Sequence, residues 1–291
     1  MQQRRIGDRT VSAIGLGGMP MSIEGRPDEA RAVATIHAAL DAGVALIDTA
    51  DAYHRDPGEV GHNESLIARA VAAYPDAAVR DQVLIATKAG SLRPGDGSWY
   101  QNGDPAYLKQ AAKASAQRLG VEAIGLHQHH RPDPNVPYAD SIGALAELLD
   151  EGVIQMAGIS NANPAQIREA NEVLGGRLAS VQNQFSPKFV SSYPEFELCA
   201  ELDVAFLPWS PLGGIRSAAD VGTLHKPFQD VADARGISPQ QAVLAWELSL
   251  SDVVIPIPGA SRPSSILDSA GAAEIDLTED ELASLAIVLG D

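Results

Sequence analysis

Asp48, Tyr53, Lys88 and His130 are acid–base side chains that stand at or just beyond the ends of apolar runs. Val44-Ala45-Leu46-Ile47 ends on Asp48, with Tyr53 five residues later in the following turn; Ile85-Ala86-Thr87 leads to Lys88, and Leu126-His127-Gln128-His129 to His130. A lysine leaving an apolar strand either surfaces in a cleft or is paired inside. Two kinds of catalysis then compete for it. It can form a Schiff base with a carbonyl substrate, as in lysine-dependent aldolases. Alternatively, its charge can lower the pKa of a neighbouring phenol while a carboxylate balances it, poising the phenol as a proton donor. Asp48 and Tyr53 at one strand end favour the second reading, because carbonyl reduction needs a proton for the developing alkoxide. His130 is suited to hydrogen-bonding a substrate carbonyl. His127 and His129 point to the opposite side of an alternating strand, so the three histidines do not converge on a metal; His127 and His129 are expected to be satisfied structural residues.

The elements that must position these groups alternate between short apolar runs and longer amphipathic segments. Helical patterns over Asp28–Ala42, Asn63–Tyr74, Pro105–Leu119 and Tyr138–Glu151 precede strand patterns over Val44–Asp48, Val83–Thr87, Ala123–His129 and Ile154–Ile159. Pro164–Leu174, Pro194–Glu201 and Ser238–Leu250 likewise precede Ala179–Gln182, Val204–Trp209 and Val253–Ile257, and Pro263–Ala272 follows as a helix. With Ala13–Leu16 as the first strand there are about eight βα units, the count of a closed parallel barrel of roughly 250 residues. Gly15-Leu16-Gly17-Gly18-Met19 has the wrong glycine spacing for the phosphate turn of an open doubly wound sheet. The expectation is an α/β chain, one domain over 1–291, folded as a (β/α)8 TIM barrel. An N-terminal hairpin over Arg4–Val11 would plug the barrel bottom, and an extra C-terminal helix over Thr278–Leu289 would open on the capping box Thr278/Glu281. Ser91–Asp104 and Gly213–Phe228 are the longest irregular connections and are placed to act as lids or specificity loops. The strand ends Asp48, Lys88, His130, Ser160-Asn161, Gln182, Trp209 and Pro258-Gly259 would then face one mouth, where active sites of such barrels are built.

Composition narrows the partners. A chain of 291 residues with 45% hydrophobic content can bury a large core, and a formal net charge of -17 argues against nucleic acid or an anionic membrane. An anionic ligand must therefore meet a local basic spot. The start of the chain lacks the apolar segment of a signal peptide and nothing approaches a membrane span, so a cytoplasmic location is expected. Cys199, the single cysteine, is read as a buried structural thiol. No heptad or exposed apolar stripe declares an oligomeric state.

Six motifs in order, Ile47-Asp48-Thr49-Ala50-Asp51-Ala52-Tyr53, Ala86-Thr87-Lys88, His130-Arg131-Pro132-Asp133-Pro134, Gly158-Ile159-Ser160-Asn161, Val181-Gln182-Asn183-Gln184-Phe185 and Trp209-Ser210-Pro211-Leu212-Gly213, make the chain resemble the aldo-keto reductase family over nearly its whole length. The resemblance implies a nicotinamide cofactor held by a barrel without a Rossmann domain, and a catalytic tetrad on Asp48, Tyr53, Lys88 and His130. By the same resemblance Tyr53 is the general acid, Lys88 and Asp48 tune it, and His130 orients the carbonyl oxygen. Ser160, Asn161 and Gln182 are implied to bind the nicotinamide carboxamide, Trp209 to stack on its ring, and Ser210, Pro211, Leu212 and Gly213 to lie over the pyrophosphate. Gly18 and Met19 are carried over to the cofactor as well. The adenosine end is expected at Ser261, Arg262, Ser265 and Asp268, where a guanidinium and the first helical N–H groups would grip a 2′-phosphate.

This sequence departs from the best-known branch of the family at that end. Gly259 and Ala260 fall where a lysine and a serine often stand, Ser265 where a second arginine is common, and Ser269 in place of a usual asparagine. NADPH is the expected cofactor, with NADH use left open. Met19, His54, Trp99 or Tyr100, and Phe185 are the expected substrate-pocket residues. The glycine-rich start, the Asp96-Gly97-Ser98-Trp99 loop and Trp209-Ser210-Pro211-Leu212-Gly213-Gly214 are also similar to bacterial members that reduce pyridoxal. A nucleotide-sensing subunit with little turnover and a Schiff-base aldolase using Lys88 are the alternative functions.

Overall fold

β-Branched and aliphatic runs of four to six residues are long enough for a strand across a barrel wall and too short for a helix to cover. The computed structural model, which describes residues 1–286, has eleven strands among those residues, the longer barrel strands on such runs. They are β1 (Gln3–Ile6), β2 (Arg9–Ser12), β3 (Leu16–Gly17), β4 (Leu46–Asp48), β5 (Leu84–Ala89), β6 (Ser91–Leu92), β7 (Tyr100–Gln101), β8 (Ile124–His129), β9 (Ile154–Ser160), β10 (Leu178–Gln182) and β11 (Ala205–Phe206). β3, β4, β5, β8, β9, β10 and β11 pair in that order as one parallel sheet.

The eighth wall, expected as a regular strand over Val253–Ile257, is found instead as isolated bridges, Phe206 with Val254 and Gly17 with Gly259. Pro256 and Pro258 explain this, because neither has an N–H to donate. Ile255 and Ile257 instead donate toward Phe206 and Pro208, while the carbonyls of Pro256 and Pro258 accept from Gly15 and Gly17 at 2.9 and 3.0 Å. The sheet thus closes with prolines placed where no donor is needed. A Cβ at Gly17 would sit 2.8 Å from the Ile257 carbonyl oxygen and 3.2 Å from the Gly259 Cα. Gly17→Ala is therefore expected to open this seam and to destabilise the protein by about 1–3 kcal/mol, read as a lower urea midpoint at unchanged slope.

The helices are α1 (Glu29–Asp41), α2 (His62–Ala72), α3 (Ala77–Arg80), α4 (Pro105–Leu119), α5 (Tyr138–Asp150), α6 (Pro164–Val173), α7 (Tyr193–Leu202), α8 (Val221–Leu224), α9 (Lys226–Arg235), α10 (Pro239–Leu250), α11 (Pro263–Gly271) and α12 (Glu279–Leu285). Their starts obey capping chemistry: reciprocal Asn163/Gln166, Ser238/Gln241 and Thr278/Glu281 boxes open α6, α10 and α12. The expected last helix ran to Leu289, and its end lies outside the described residues. The Gly213–Phe228 connection, expected to be irregular, contains α8 and the start of α9. The Ser91–Asp104 connection is stiffened by the antiparallel pair β6–β7.

Strand alternation sets the interior. Leu46, Leu84, Ala86, Leu126, Met156 and Ile255 pack inside the barrel, and Ile6 and Val11 of the β1–β2 hairpin join that cluster as its plug. Residues of the opposite parity, including Ile47 and Val181, pack outward under the helices. Among the described residues no helix is long and apolar enough to cross a membrane.

Candidate active site

The parity that sends Leu46, Ala86 and Leu126 inward carries Asp48, Lys88 and His130 inward two or four residues later. Lys88 lies within β5 rather than beyond it, and its side chain is fully buried. Its ammonium donates to Asp48 Oδ2 at 2.7 Å, to the Thr49 carbonyl at 2.8 Å and to the Tyr53 hydroxyl at 3.1 Å. All three of its protons have acceptors. Burial alone would lower the Lys88 pKa, but Asp48 and Tyr53 outweigh it and the net direction is upward. A lysine held charged and fully hydrogen-bonded has no free lone pair for a carbonyl carbon, which argues against the Schiff-base chemistry that its sequence position left open.

Tyr53, 6% exposed, turns its ring edge to His130 at 5.8 Å. Burial raises the phenol pKa and the Lys88 charge opposes that rise, so the hydroxyl stays protonated at neutral pH. Burial pushes the His130 imidazole well below its ordinary range, and Lys88 and Arg131 push it the same way. His130 is accordingly a neutral ring beside a neutral phenol. Together these two groups can donate hydrogen bonds to one oxygen without placing a free charge in the pocket.

Asp48 Oδ1 accepts from Gln182 Nε2 at 2.8 Å. Gln182, expected to bind the carboxamide, therefore spends its NH2 inside the charge cluster and keeps Oε1. Ser160 donates to the Gln182 carbonyl at 2.7 Å and accepts from Asn161 Nδ2 at 2.9 Å. Asn161 stands in the left-handed region at φ 57° and also donates to the His130 carbonyl at 3.0 Å, which leaves its Oδ1 unspent. Two acceptors, Asn161 Oδ1 and Gln182 Oε1, thus remain at the ends of β9 and β10 for an external NH2 group.

These residues line a cavity of about 710 Å³ together with Met19, Trp99 and the segment Trp209, Ser210, Pro211 and Leu212. The indole Nε1 of Trp209 is buried without a hydrogen-bond partner among the described residues. Ser210, Gly213 and Gly214 adopt positive φ (53°, 80° and 96°), which bends the chain over the cavity. Only the Gly213 N–H of the Leu212–Ile215 stretch finds an acceptor among the described residues, the Ser210 carbonyl at 2.9 Å. Unspent N–H groups on a positive-φ turn are backbone of the kind that can receive an anion.

Several expected residues stand elsewhere. His54 is 1% exposed, lies outside the cavity lining, and its carbonyl accepts from Arg93. Phe185 is a core residue stacked on Trp246 at 5.9 Å, because its strand end turns it outward under α10. Tyr100 is half exposed outside the lining, and Gly18 is buried beneath it, its carbonyl accepting from Asn63 and its N–H donating to the Asp48 carbonyl. Ser261, Arg262, Ser265 and Asp268 lie beyond the cavity lining, around the start of α11. There Arg262 Nε donates to Ser265 Oγ at 2.8 Å, and Asp268 Oδ2 accepts from Ser238 on α10 at 2.8 Å. His127 and His129 are fully buried as expected, yet their ring nitrogens have no partner among the described residues, so "satisfied" does not describe them. Burial lowers both to about 4, and an imidazole that stays neutral survives in an apolar wall. No cluster of metal-ligating side chains occurs among the described residues.

The cavity also contains residues that periodicity did not single out: Ile23, Glu24, Arg93, Gln101 and Arg131. The signals available were the length of the Ser91–Asp104 loop and the adjacency of Arg131 to His130. A buried layer behind the site was missed as well. Thr87, of outward parity on β5, donates to Glu64 of α2 at 2.5 Å, and Arg118 of α4 donates to the other Glu64 oxygen at 2.5 Å. Asp51 is buried beside them with Oδ1 unpartnered.

The model of the Aldo/keto reductase family matches residues 13–289. Among curated proteins, a 6-dehydroglucose reductase of Novosphingobium aromaticivorans is 34% identical over 272 residues, spanning 91% of this chain and 87% of its own. An uncharacterized oxidoreductase of Schizosaccharomyces pombe is 32% identical over 288 residues, spanning 97% and 88%. The structure of a glycerol dehydrogenase from Gluconobacter oxydans superimposes with a TM-score of 0.83 at 26% identity, over 99% of this chain and 94% of that one. A closed parallel barrel, an inward Asp–Lys–Tyr cluster at its mouth and a family match over nearly the whole length agree, and the chain belongs to the aldo/keto reductase family of oxidoreductases.

Proposed function

We propose that the protein reduces an aldehyde or ketone to the alcohol with NADPH, Tyr53 giving the proton. The observation that carries this reading is the Lys88 ammonium bridging Asp48 Oδ2 and the Tyr53 hydroxyl, two groups whose residues line a large cavity. Bound NADPH supplies the hydride. The residues fit such a group: Asn161 Oδ1 and Gln182 Oε1 would accept from the carboxamide NH2, Trp209 would flank the ring, and the Leu212–Ile215 arc would receive the pyrophosphate. Ser261, Arg262, Ser265 and Asp268 would serve the adenosine end, with Arg262 as the cation for a 2′-phosphate and Asp268 acting through its tie to α10.

Tyr53 and His130 hold the carbonyl oxygen. As negative charge develops there, the phenol proton moves to it, and the Lys88 ammonium stabilises the phenolate left behind. Asp48 keeps the ammonium charged and aimed. Each protein group thus changes charge only where the reaction requires it.

Pyridoxal heads the panel of carbonyl compounds in this proposal, supported by the flat face of Trp99, which lines the cavity with its ring 6.3 Å from His130. The names of the Novosphingobium and Gluconobacter relatives add polyhydroxylated carbonyls to the panel. The test follows oxidation of NADPH, then NADH, with pyridoxal, aromatic and aliphatic aldehydes, sugars and simple ketones. Turnover with NADPH is expected, together with a loss of about 10²–10⁴-fold in kcat for Tyr53→Phe. Tight NADPH binding without turnover on any carbonyl would replace this reading with a nucleotide-sensing one.

A further inference from the structure

Two arginines line the cavity near His130 and Lys88 lies behind its Asp48 and Tyr53 wall; among the described residues only one of these three cations lacks a counter-charge. Lys88 is paired with Asp48. Arg93, its side chain 3% exposed, is paired with Glu24 at 2.6 Å, donates to the His54 carbonyl and lies 4.8 Å over the Trp99 ring. Arg131 lines the cavity directly after His130, and among the described residues its guanidinium makes no hydrogen bond or ion pair. The carboxylate nearest to it in sequence is spent elsewhere: Asp133 Oδ2 accepts from the Gly103 N–H at 2.9 Å, and Oδ1 accepts from the backbone and side chain of Asn135 at 2.9 and 3.1 Å. Arg131 is exposed at this rim, and none of the 38 acidic residues of a chain of net charge -17 reaches it among the described residues.

We propose that the substrate carries an anionic group, carboxylate or phosphate, remote from its carbonyl, and that Arg131 receives this group while Tyr53 and His130 hold the carbonyl oxygen. The inference rests on the reductase reading above and deepens it. The geometry suits it, because His130 and Arg131, consecutive at one strand end, both line the cavity, and the Trp99 ring stands 6.3 Å from His130 in the same lining. Partial withdrawal from water lowers the Arg131 pKa with no acid opposing the shift, so an incoming anion would supply the missing partner. Arg93, already neutralised by Glu24, holds Trp99 in place and is not the anchor.

Matched substrates test this: 4-carboxybenzaldehyde against its methyl ester, and pyridoxal 5′-phosphate against pyridoxal, each with the parent, Arg131→Gln and Arg131→Lys. A charge-assisted contact corresponds to a preference of about 10- to 100-fold in kcat/KM for the anionic member. The ratio is expected to fall toward one in Arg131→Gln, to be partly kept in Arg131→Lys, and to shrink in the parent as salt is raised. Which pair shows the preference distinguishes carboxylate from phosphate. Neutral aldehydes reduced with no anionic preference in either pair would overturn the anchor and leave the reductase reading standing. A ratio unchanged by Arg131→Gln, or a KM for NADPH that rises equally with every substrate, would assign Arg131 to the fold or the cofactor and overturn it too. If no carbonyl is reduced, both readings fall together.

Discussion

Lys88→Met is expected to lose carbonyl reduction by about 10³-fold or more and stability by about 3–5 kcal/mol. Methionine fills similar space but supplies none of the three hydrogen bonds that Lys88 gives to Asp48, Thr49 and Tyr53. Asp48, 3% exposed, would be left with only Gln182 as donor among the described residues, and removing one partner of a buried ion pair is strongly destabilising. The catalytic loss has a separate cause, since the phenolate formed when Tyr53 gives up its proton would have no ammonium beside it. The double variant Asp48→Asn/Lys88→Met separates the two effects. It removes both charges and is expected to recover most of the stability, by chemical denaturation, while activity stays lost. Recovery of both would mean that the charge cluster serves the fold alone.

Asp51→Asn is expected to make stability far less dependent on pH between about 4 and 8. Burial first, and then the neighbouring Glu64 carboxylate, raise the Asp51 pKa from 3.8 to about 8, against the opposing pull of Arg118. An acid whose folded pKa lies above its unfolded value binds its proton more tightly in the native state. Its contribution to stability is fully present below the unfolded pKa, declines as pH rises and is gone above the folded pKa. Over about four units this is on the order of 5 kcal/mol. Asparagine mimics the protonated acid and never ionises, so urea midpoints of parent and variant should lie closest near pH 4 and diverge in the variant's favour toward pH 8. Parallel midpoints across that range would show that Asp51 is already ionised in the native protein. Ionised Asp51 also raises the Tyr53 pKa, so the variant should shift the alkaline limb of the activity profile toward lower pH.

Much of the site was legible because it obeys strand parity. Asp48 lies two residues beyond Leu46, Lys88 four beyond Leu84 and His130 four beyond Leu126, and a barrel turns those separate alternations toward one axis. The start of α12 was legible for a similarly local reason, since the Thr278/Glu281 capping box is written within four residues. The hairpin plug could be read from Gly7-Asp8 between two apolar-bearing strands, with Gly7 at φ 54°.

Elsewhere local pattern was insufficient. His54 follows Tyr53 directly and was expected in the pocket, yet one residue of displacement in a turn buried it against Arg93. Phe185 looked like a pocket aromatic because it follows the Gln182 strand end, but it fills the space between α7, β11 and α10. The Asp51–Glu64–Arg118 layer draws its members from a loop and two helices, so no spacing in the chain announces it.

The sequence by itself determined the βα repeat, the inward residues at the strand ends and, through six ordered motifs, the family. These depend on periodicity and short-range chemistry, which a chain carries whatever lies across from it. Only the tertiary structure decided how the polar groups are spent: that Gln182 gives its NH2 to Asp48, that Lys88 has no proton or lone pair left for a Schiff base, that two prolines close the barrel through bridges, and that of the two arginines lining the cavity Arg93 has an acid and Arg131, among the described residues, has none. The physical reason is that a hydrogen bond or ion pair is a property of two groups. Its second partner here stands up to 134 residues away, at a distance fixed by the closing of the barrel.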